Sequence, residues 1–183
     1  GLTGTDRLVL YTLAANTGFR AGELASLTPA SFDLQAKPPT VTVEAAYSKH
    51  RREDVQPLRP DVAEVMRQYL AGRPRNRPVW PGHWHEDAAL VIQHDLRTAG
   101  IPYRDEAGRY FDFHALRGQF ISQLAAAGVH PKVAQTLARH STITLTLSHY
   151  THLDVFDVAG ALDKLPRLVR PDDRDAPPAA ESA

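Results

Sequence analysis

Four apolar segments with helical spacing, each closed by a glycine, constrain the fold of this chain more than any other feature of its sequence. The glycines that end these segments are Gly18, Gly72, Gly100 and Gly128. Glycine readily adopts the left-handed conformation that terminates a helix, so each of these residues predicts a helix end. Residues 40–58 instead alternate apolar and polar side chains around a basic turn, which indicates a β-hairpin. We therefore predict a mainly α-helical fold with a small antiparallel β-hairpin or three-stranded sheet.

The same patterns locate the elements and the extent of the domain. Helices are predicted at about residues 5–17, 21–27, 60–71, 87–99, 113–127, 131–140 and 153–165, with a short helix capped by Ser141 or Thr142 and ending at Tyr150. The Pro-rich segment 73–86 predicts a loop. A chain of 183 residues suffices for one domain with a sizeable core. We expect that domain to span residues 1–166, with a disordered tail at 167–183 and with an N-terminal part missing, since the first residues enter a helical pattern without an initiator Met.

Composition excludes several classes of protein. The chain has no cysteine, which rules out disulfides, a thiolate nucleophile and Cys-ligated zinc. It shows neither a signal peptide nor a long apolar run, so we expect a soluble, cytoplasmic protein without a membrane partner. The net charge is zero, but residues 49–77 carry eight Lys or Arg against four acidic residues, a local charge of +4. That segment could bind nucleic acid, although a solvated basic face explains its part from Arg67 to Arg77, taken alone, equally well.

His114 and Arg117 are the first candidates for a functional site. They stand three residues apart in a predicted helix, so their side chains project from one face. A planar guanidinium suits a phosphate or carboxylate, and an imidazole beside it can hydrogen-bond the same oxyanion or move a proton. Taken alone, such a pair is more often a solvated helix surface, and only further residues would make a site of it.

Four other side chains could complete a site for chemistry on a phosphodiester: Arg20, Lys49, His140 and Tyr150. Arg20 lies at the junction of two predicted helices, and Glu23 follows closely enough to hold its guanidinium. Lys49 lies near the bend of the predicted hairpin, where a flexible ammonium could protonate a leaving oxygen.

A tyrosine is the most suitable nucleophile available among Ser, Thr and Tyr. With an ordinary pKa of about 10, a phenol ionises more readily than an aliphatic alcohol and leaves more readily when the step is reversed. A phosphotyrosyl link would keep the energy of the broken bond, so a strand could be rejoined without ATP. The cationic side chains would cover the charge on the phosphate oxygens, so we expect neither a metal ion nor another cofactor.

Five segments resemble, in order, the conserved boxes of the tyrosine recombinases (the phage integrase family, including the Xer type). They are TGFRAGELASLT, SKHRREDVQPL, HALRG, LARHS and SHYTH. The resemblance extends to about residue 165. It implies a mainly helical catalytic domain that cleaves and rejoins DNA at specific sites through a 3′-phosphotyrosyl intermediate, without metal or ATP. It also implies double-stranded DNA as partner and a homo-oligomer, a tetramer on paired sites, in which the helix at 153–165 docks on a neighbouring protomer.

The resemblance further implies a role for each matching residue. Tyr150 is the nucleophile, Arg20 and Arg117 clamp the phosphate, Lys49 is the general acid, His114 and His140 assist, and Glu23 supports the first arginine. The hairpin residues Lys49, Arg51 and Arg52 would contact DNA.

Two departures from the family pattern leave questions open. Gly118 stands where a histidine often follows the second arginine, which bears on local helix stability. The spacing from His140 to Tyr150 is one residue longer than in Xer-type members, which makes His149 a rival for a place near the site. Tyr150 remains preferred over the chain's other candidate tyrosines, Tyr47, Tyr103 and Tyr110, because it alone follows the histidine box.

Three alternatives differ in class. A type IB topoisomerase-like enzyme would use similar chemistry as a monomer. A DNA-binding regulator would keep the fold without cleaving. A metal hydrolase would use His83, His85 and His94, although the first two alternate in a loop and lack the helical spacing of a zinc pair.

Overall fold

Helices are the main secondary structure in the part of the chain that this computed structural model describes, residues 1–48 and 51–150. The helices are α1 (Gly4–Thr17), α2 (Ala21–Ser26), α3 (Pro60–Leu70), α4 (Ala88–Thr98), α5 (Ala115–Ala126), α6 (Pro131–Ala138) and α7 (Thr144–Leu147). The predicted position of Lys49, the predicted helix at 153–165 and the predicted tail at 167–183 lie outside the described residues. None of the helices in the described ranges is long and apolar enough to cross a membrane.

One antiparallel sheet accompanies the helices, with the strand order β1 (Phe32–Asp33), β2 (Thr40–Val43) and β3 (Asp54–Pro57). Val41 in the central strand pairs with Phe32 on one side and Gln56 on the other. The predicted fold class is therefore confirmed, with three strands. The strands are shorter than predicted because the chain turns after Val43, where the Glu44 carbonyl accepts hydrogen bonds from the amides of Tyr47 and Ser48.

The core forms around α1, which packs against α3 and α5. Its first turn is closed by a capping box between Thr3 and Asp6, and Gly18 ends it with a φ of 65°, as predicted. Leu10 and Leu13 on its inner face are fully buried.

The Pro-rich loop after α3 contributes to the same core. It is irregular, as predicted, but Trp80 and Trp84 within it are buried. Their indole N–H groups donate to backbone carbonyls, Trp80 to Asp6 at 3.0 Å and Trp84 to Trp80 at 3.1 Å. Burial of these large rings therefore leaves no indole donor unsatisfied.

The predicted boundaries of two helices are wrong. α5 begins at Ala115, so His114 is its N-cap residue rather than a residue within it. Its backbone nevertheless has helical angles, and its carbonyl accepts from the amide of Arg117 at 3.0 Å, so the two side chains remain one turn apart. α7 begins at Thr144 after the N-cap Ile143, not at a Ser141 or Thr142 cap, and it ends at Leu147 rather than at Tyr150.

Candidate active site

Arg117 is the buried centre of the candidate site. It projects from the first turn of α5 and is 3% exposed. Its Nη1 donates to the carbonyl of Gly18 at 2.5 Å, and its Nη2 donates to the carbonyl of Ala138. The side chain thus ties the end of α1 to the end of α6. Burial, and then the charges of Arg20 and Arg139, lower its pKa to about 10, so the guanidinium stays charged at neutral pH.

Arg20 lies just before α2 and is held by Glu23. The Glu23 Oε1 accepts from the Arg20 Nη1 at 3.0 Å, while Oε2 accepts from the backbone amide of Arg20 at 2.8 Å. This second bond satisfies a free amide at the start of the helix. Glu23 is almost fully buried, whereas the Arg20 side chain is 28% exposed. The contact predicted between them is present, and the Arg20 side chain remains partly exposed to solvent.

Three histidines surround these arginines. The pKa of His140 is lowered to about 4, first by burial and then by the charge of Arg117, with smaller contributions from His149, Arg20 and His114. His114 reaches solvent at the surface, yet desolvation and the charge of Arg117 lower its pKa as well. Both imidazoles are therefore neutral at pH 7.

Ring contacts orient two of the histidines. A 3.0 Å hydrogen bond joins the His140 Nδ1 to the Thr146 Oγ1, and one of 3.1 Å joins the His149 Nδ1 to the Ser122 Oγ. The His149 ring also lies beside Gly118, where an added Cβ would stand 3.7 Å from its Cε1. Burial and the charge of Arg117 lower the pKa of His149 too. His149, directly before Tyr150, therefore lies near the candidate site.

Tyr150 follows α7 and is half-buried. Its hydroxyl donates to the carbonyl of Val129, in the turn between α5 and α6, at 2.7 Å. Burial raises its pKa. The structure thus gathers Arg20, His114, Arg117 and His140, but it holds the Tyr150 hydroxyl on a backbone carbonyl.

The β2–β3 connection carries the predicted DNA-binding residues. Lys49 lies outside the described residues. Arg51 and Arg52 are exposed, and Arg52 lies 3.6 Å from the Asp54 carboxylate. Arg52 lines the same cavity of about 310 Å³ as His140 and Lys132. Arg52 therefore lies on the histidine side of the site.

Sequence reasoning missed one charged residue, Arg139, directly before His140. It is buried and has a φ of 52°, the left-handed conformation usually taken by glycine at a helix end. Its Nη2 donates to the Glu23 Oε2 at 2.8 Å, and its Cζ lies 4.3 Å from the ring centroid of Phe19. The signal that could have found it is its place in the sequence, at the end of a predicted helix and directly before a candidate catalytic histidine.

The histidines of the metal alternative have other neighbours. The His83 Nδ1 lies 3.1 Å from the Glu86 Oε1, and the His94 Nδ1 lies 3.2 Å from the Arg97 Nη2. In residues 1–48 and 51–150, no group of three or more His, Cys, Asp or Glu side chains could hold a metal ion.

Several solved structures share this fold. A Tn1549 transposon integrase in complex with transposon right end DNA aligns over 87% of this chain and 58% of its own, with a TM-score of 0.65 and 17% identity. The XerH site-specific recombinase bound to its difH substrate aligns over 90% of this chain and 49% of its own, with a TM-score of 0.64 and 18% identity. For the integrase from mycobacterium phage Brujita the shares are 92% and 56%, with a TM-score of 0.60 and 23% identity.

The chain thus spans about half the length of the solved structures that it matches. Comparison with curated protein sequences yields no match. The sequence model of the phage integrase family matches residues 3–155, which include every box described above. Because that match covers most of the chain, the protein belongs to the phage integrase family.

Proposed function

We propose that this chain carries the catalytic domain of a site-specific DNA recombinase that cleaves and rejoins strands through a covalent 3′-phosphotyrosyl intermediate. The observation that carries the proposal is the grouping of Arg20 and Arg117 with two neutral histidines, His114 and His140. Two fixed cations can stabilise a phosphorane-like transition state, in which negative charge builds on the non-bridging oxygens. The solved relatives named above that are bound to DNA support double-stranded DNA as the substrate.

The arginines are suited to this task for different reasons. A guanidinium has five N–H donors, and two of those on Arg117 go to backbone carbonyls. These bonds hold its plane in place, so its other donors are pre-oriented for a phosphate. Arg20 is more exposed and can meet a DNA backbone at the surface. Together they would hold one phosphate from two sides.

Cleavage would proceed by in-line displacement. The Tyr150 oxygen attacks phosphorus and forms the P–O bond while the bond to the 5′ oxygen breaks. A neutral imidazole, His114 or His140, takes the phenolic proton, and Lys49 gives a proton to the departing 5′ oxygen. Rejoining is the same sequence in reverse. Before attack, the Tyr150 hydroxyl must exchange its bond with the Val129 carbonyl for the phosphate.

Covalent capture tests this function on a mixture of DNA sequences, from which the protein selects its own target. The protein is incubated with a pool of nicked duplexes of randomised sequence and a chelator, and DNA that remains bound in SDS is recovered and sequenced. The nick releases the short cleaved end, so the adduct accumulates. We expect adduct from the wild type and none from Tyr150→Phe. Tyr110→Phe is the matched control, because this tyrosine is 59% exposed and removed from the five boxes.

Each contrary outcome has a distinct meaning. Adduct from Tyr150→Phe would transfer the nucleophile role to another residue. DNA binding without any adduct from the wild type would favour the non-cleaving regulator. Adduct with relaxation of a supercoiled plasmid, but without exchange between two captured sites, would favour the topoisomerase-like activity over an enzyme that assembles on paired sites.

A further inference from the structure

The carboxylate of Glu23 lies between two arginines that come from distant parts of the chain. Its Oε1 accepts a hydrogen bond of 3.0 Å from the Arg20 Nη1. Its Oε2 accepts two hydrogen bonds of 2.8 Å, one from the Arg20 backbone amide and one from the Arg139 Nη2. The side chains of Glu23 and Arg139 are 3% and 6% exposed. The ion pair between them therefore operates with little screening by water.

The guanidinium of Arg139 is buried and therefore requires a counterion. A buried guanidinium is unfavourable unless it is paired, and Glu23 supplies the charge. The Phe19 ring covers the face of the guanidinium and fixes its plane. Because Arg139 directly follows α6 and Glu23 lies in the first turn of α2, the pair joins two helices that are distant in sequence.

The two hydrogen bonds on Oε2 limit how many the Glu23 carboxylate can form with the Arg20 side chain. A carboxylate free to rotate would form a two-pronged pair with a neighbouring guanidinium. With Oε2 occupied, Glu23 bonds the Arg20 side chain through Oε1 and a single N–H. The remaining donors of Arg20 are then available for another anion. Without Arg139, Oε2 would keep only its bond from the Arg20 backbone amide. The carboxylate could then turn further toward the Arg20 side chain and occupy more of its donors.

We propose that Arg139 is a positioning residue, which holds Glu23 so that the Arg20 guanidinium keeps its phosphate-binding edge free. This inference rests on the proposed function in one respect, the identity of the anion at Arg20. Arg139 itself does not touch the phosphate.

Arg139→Gly is the informative substitution, because glycine accepts the left-handed backbone and removes only the side chain. Arg139→Lys keeps the charge but lacks the planar fork. Arg109→Ala controls for loss of a surface cation, since that side chain is 81% exposed. Each protein is tested at saturating concentration on one duplex recovered by covalent capture. Three quantities are measured: the rate constant of adduct formation, the Kd for the duplex and the melting temperature.

We expect Arg139→Gly to slow adduct formation by about tenfold or more, because a small displacement of a catalytic group has effects of that size. The Kd should stay within about twofold, and Arg139→Lys should recover part of the rate. In a Glu23→Gln background, Arg139→Gly should produce no further slowing, since its effect passes through that carboxylate. A wild-type rate in Arg139→Gly, or independent effects in the double variant, would overturn the inference while leaving the function in place. So would a rate loss that matches the unfolded fraction at the assay temperature.

A second readout does not depend on cleavage. The ¹⁵N-bound guanidinium protons of Arg20 report whether its side chain is held. We expect the side-chain N–H signals of Arg20 to shift and to exchange more slowly with water in Arg139→Gly than in the wild type, because Glu23 would then bond more of these donors. An unchanged signal would refute the positioning role even if the wild type forms no adduct, in which case the proposed function fails separately.

Discussion

Gly18 ends α1 at a point where backbone conformation, packing and the candidate site meet. Its φ is 65°, and an added Cβ would stand 2.7 Å from the Cδ1 of Phe120. Its carbonyl also accepts a hydrogen bond from the Arg117 guanidinium. Gly18→Ala should therefore be destabilising for two separate reasons, a left-handed backbone with a side chain and an overlap with a buried ring.

The magnitude follows from these two contributions. The left-handed conformation costs a non-glycine residue about 1–2 kcal/mol, and forcing an extra methyl into a packed core costs about 1–3 kcal/mol. The lower entropy of the unfolded alanine chain returns up to about 1 kcal/mol. We expect Gly18→Ala to lower the free energy of unfolding by about 2–4 kcal/mol.

Comparison with Gly72→Ala separates the cost of the overlap with Phe120 from the cost of the left-handed backbone. Gly72 follows α3 with a φ of 73°, but nothing lies within 4 Å of an added Cβ. It should therefore show the backbone cost alone. Gly22→Ala, in open space within α2, should instead be stabilising by up to about 1 kcal/mol. All three are measured by urea denaturation at one pH. Equal losses for Gly18→Ala and Gly72→Ala would refute the packing argument.

Three further predictions concern pH, a buried hydrogen bond and the core. The folded-state pKa of His140 is about 4, against 6.5 ordinarily, so between these values the unfolded chain binds a proton that the folded chain does not. The free energy of unfolding should therefore fall as the pH drops from 6.5 to 4. In urea denaturation over this pH range, His140→Gln should lose less of that free energy than the wild type. An equal loss would contradict the lowered pKa of His140. Tyr11→Phe removes a 2.6 Å bond to Asp95 and should lower the free energy of unfolding by about 1–3 kcal/mol, because the partly buried carboxylate loses a donor; no change in the urea midpoint would count against that bond. Leu13→Ala, at a fully buried position, should lower it by about 2–5 kcal/mol by the same measurement, and a smaller loss would mean that the core collapses around the cavity.

Local chemistry accounts for what the sequence could predict. Gly18 ends α1 because a residue without a Cβ readily takes a positive φ there, and a glycine after an apolar helical segment can be recognised from its nearest neighbours in sequence. Alternation around residues 40–58 predicts paired strands for the same local reason. The family boxes locate candidate residues because each box is a short continuous segment and the order of the boxes can be read along the chain.

Contacts between residues that are distant in sequence can be identified only from the tertiary structure. The sequence could not show that Arg139 would be buried, since an arginine at a helix end is ordinarily solvated. It also could not show that the Tyr150 hydroxyl rests on the Val129 carbonyl. The identity of the elements was thus determined locally, by periodicity and by backbone sterics. The partner of the buried Arg139 was decided only by folding, because residues 23 and 139 are far apart in sequence and meet only in the tertiary structure.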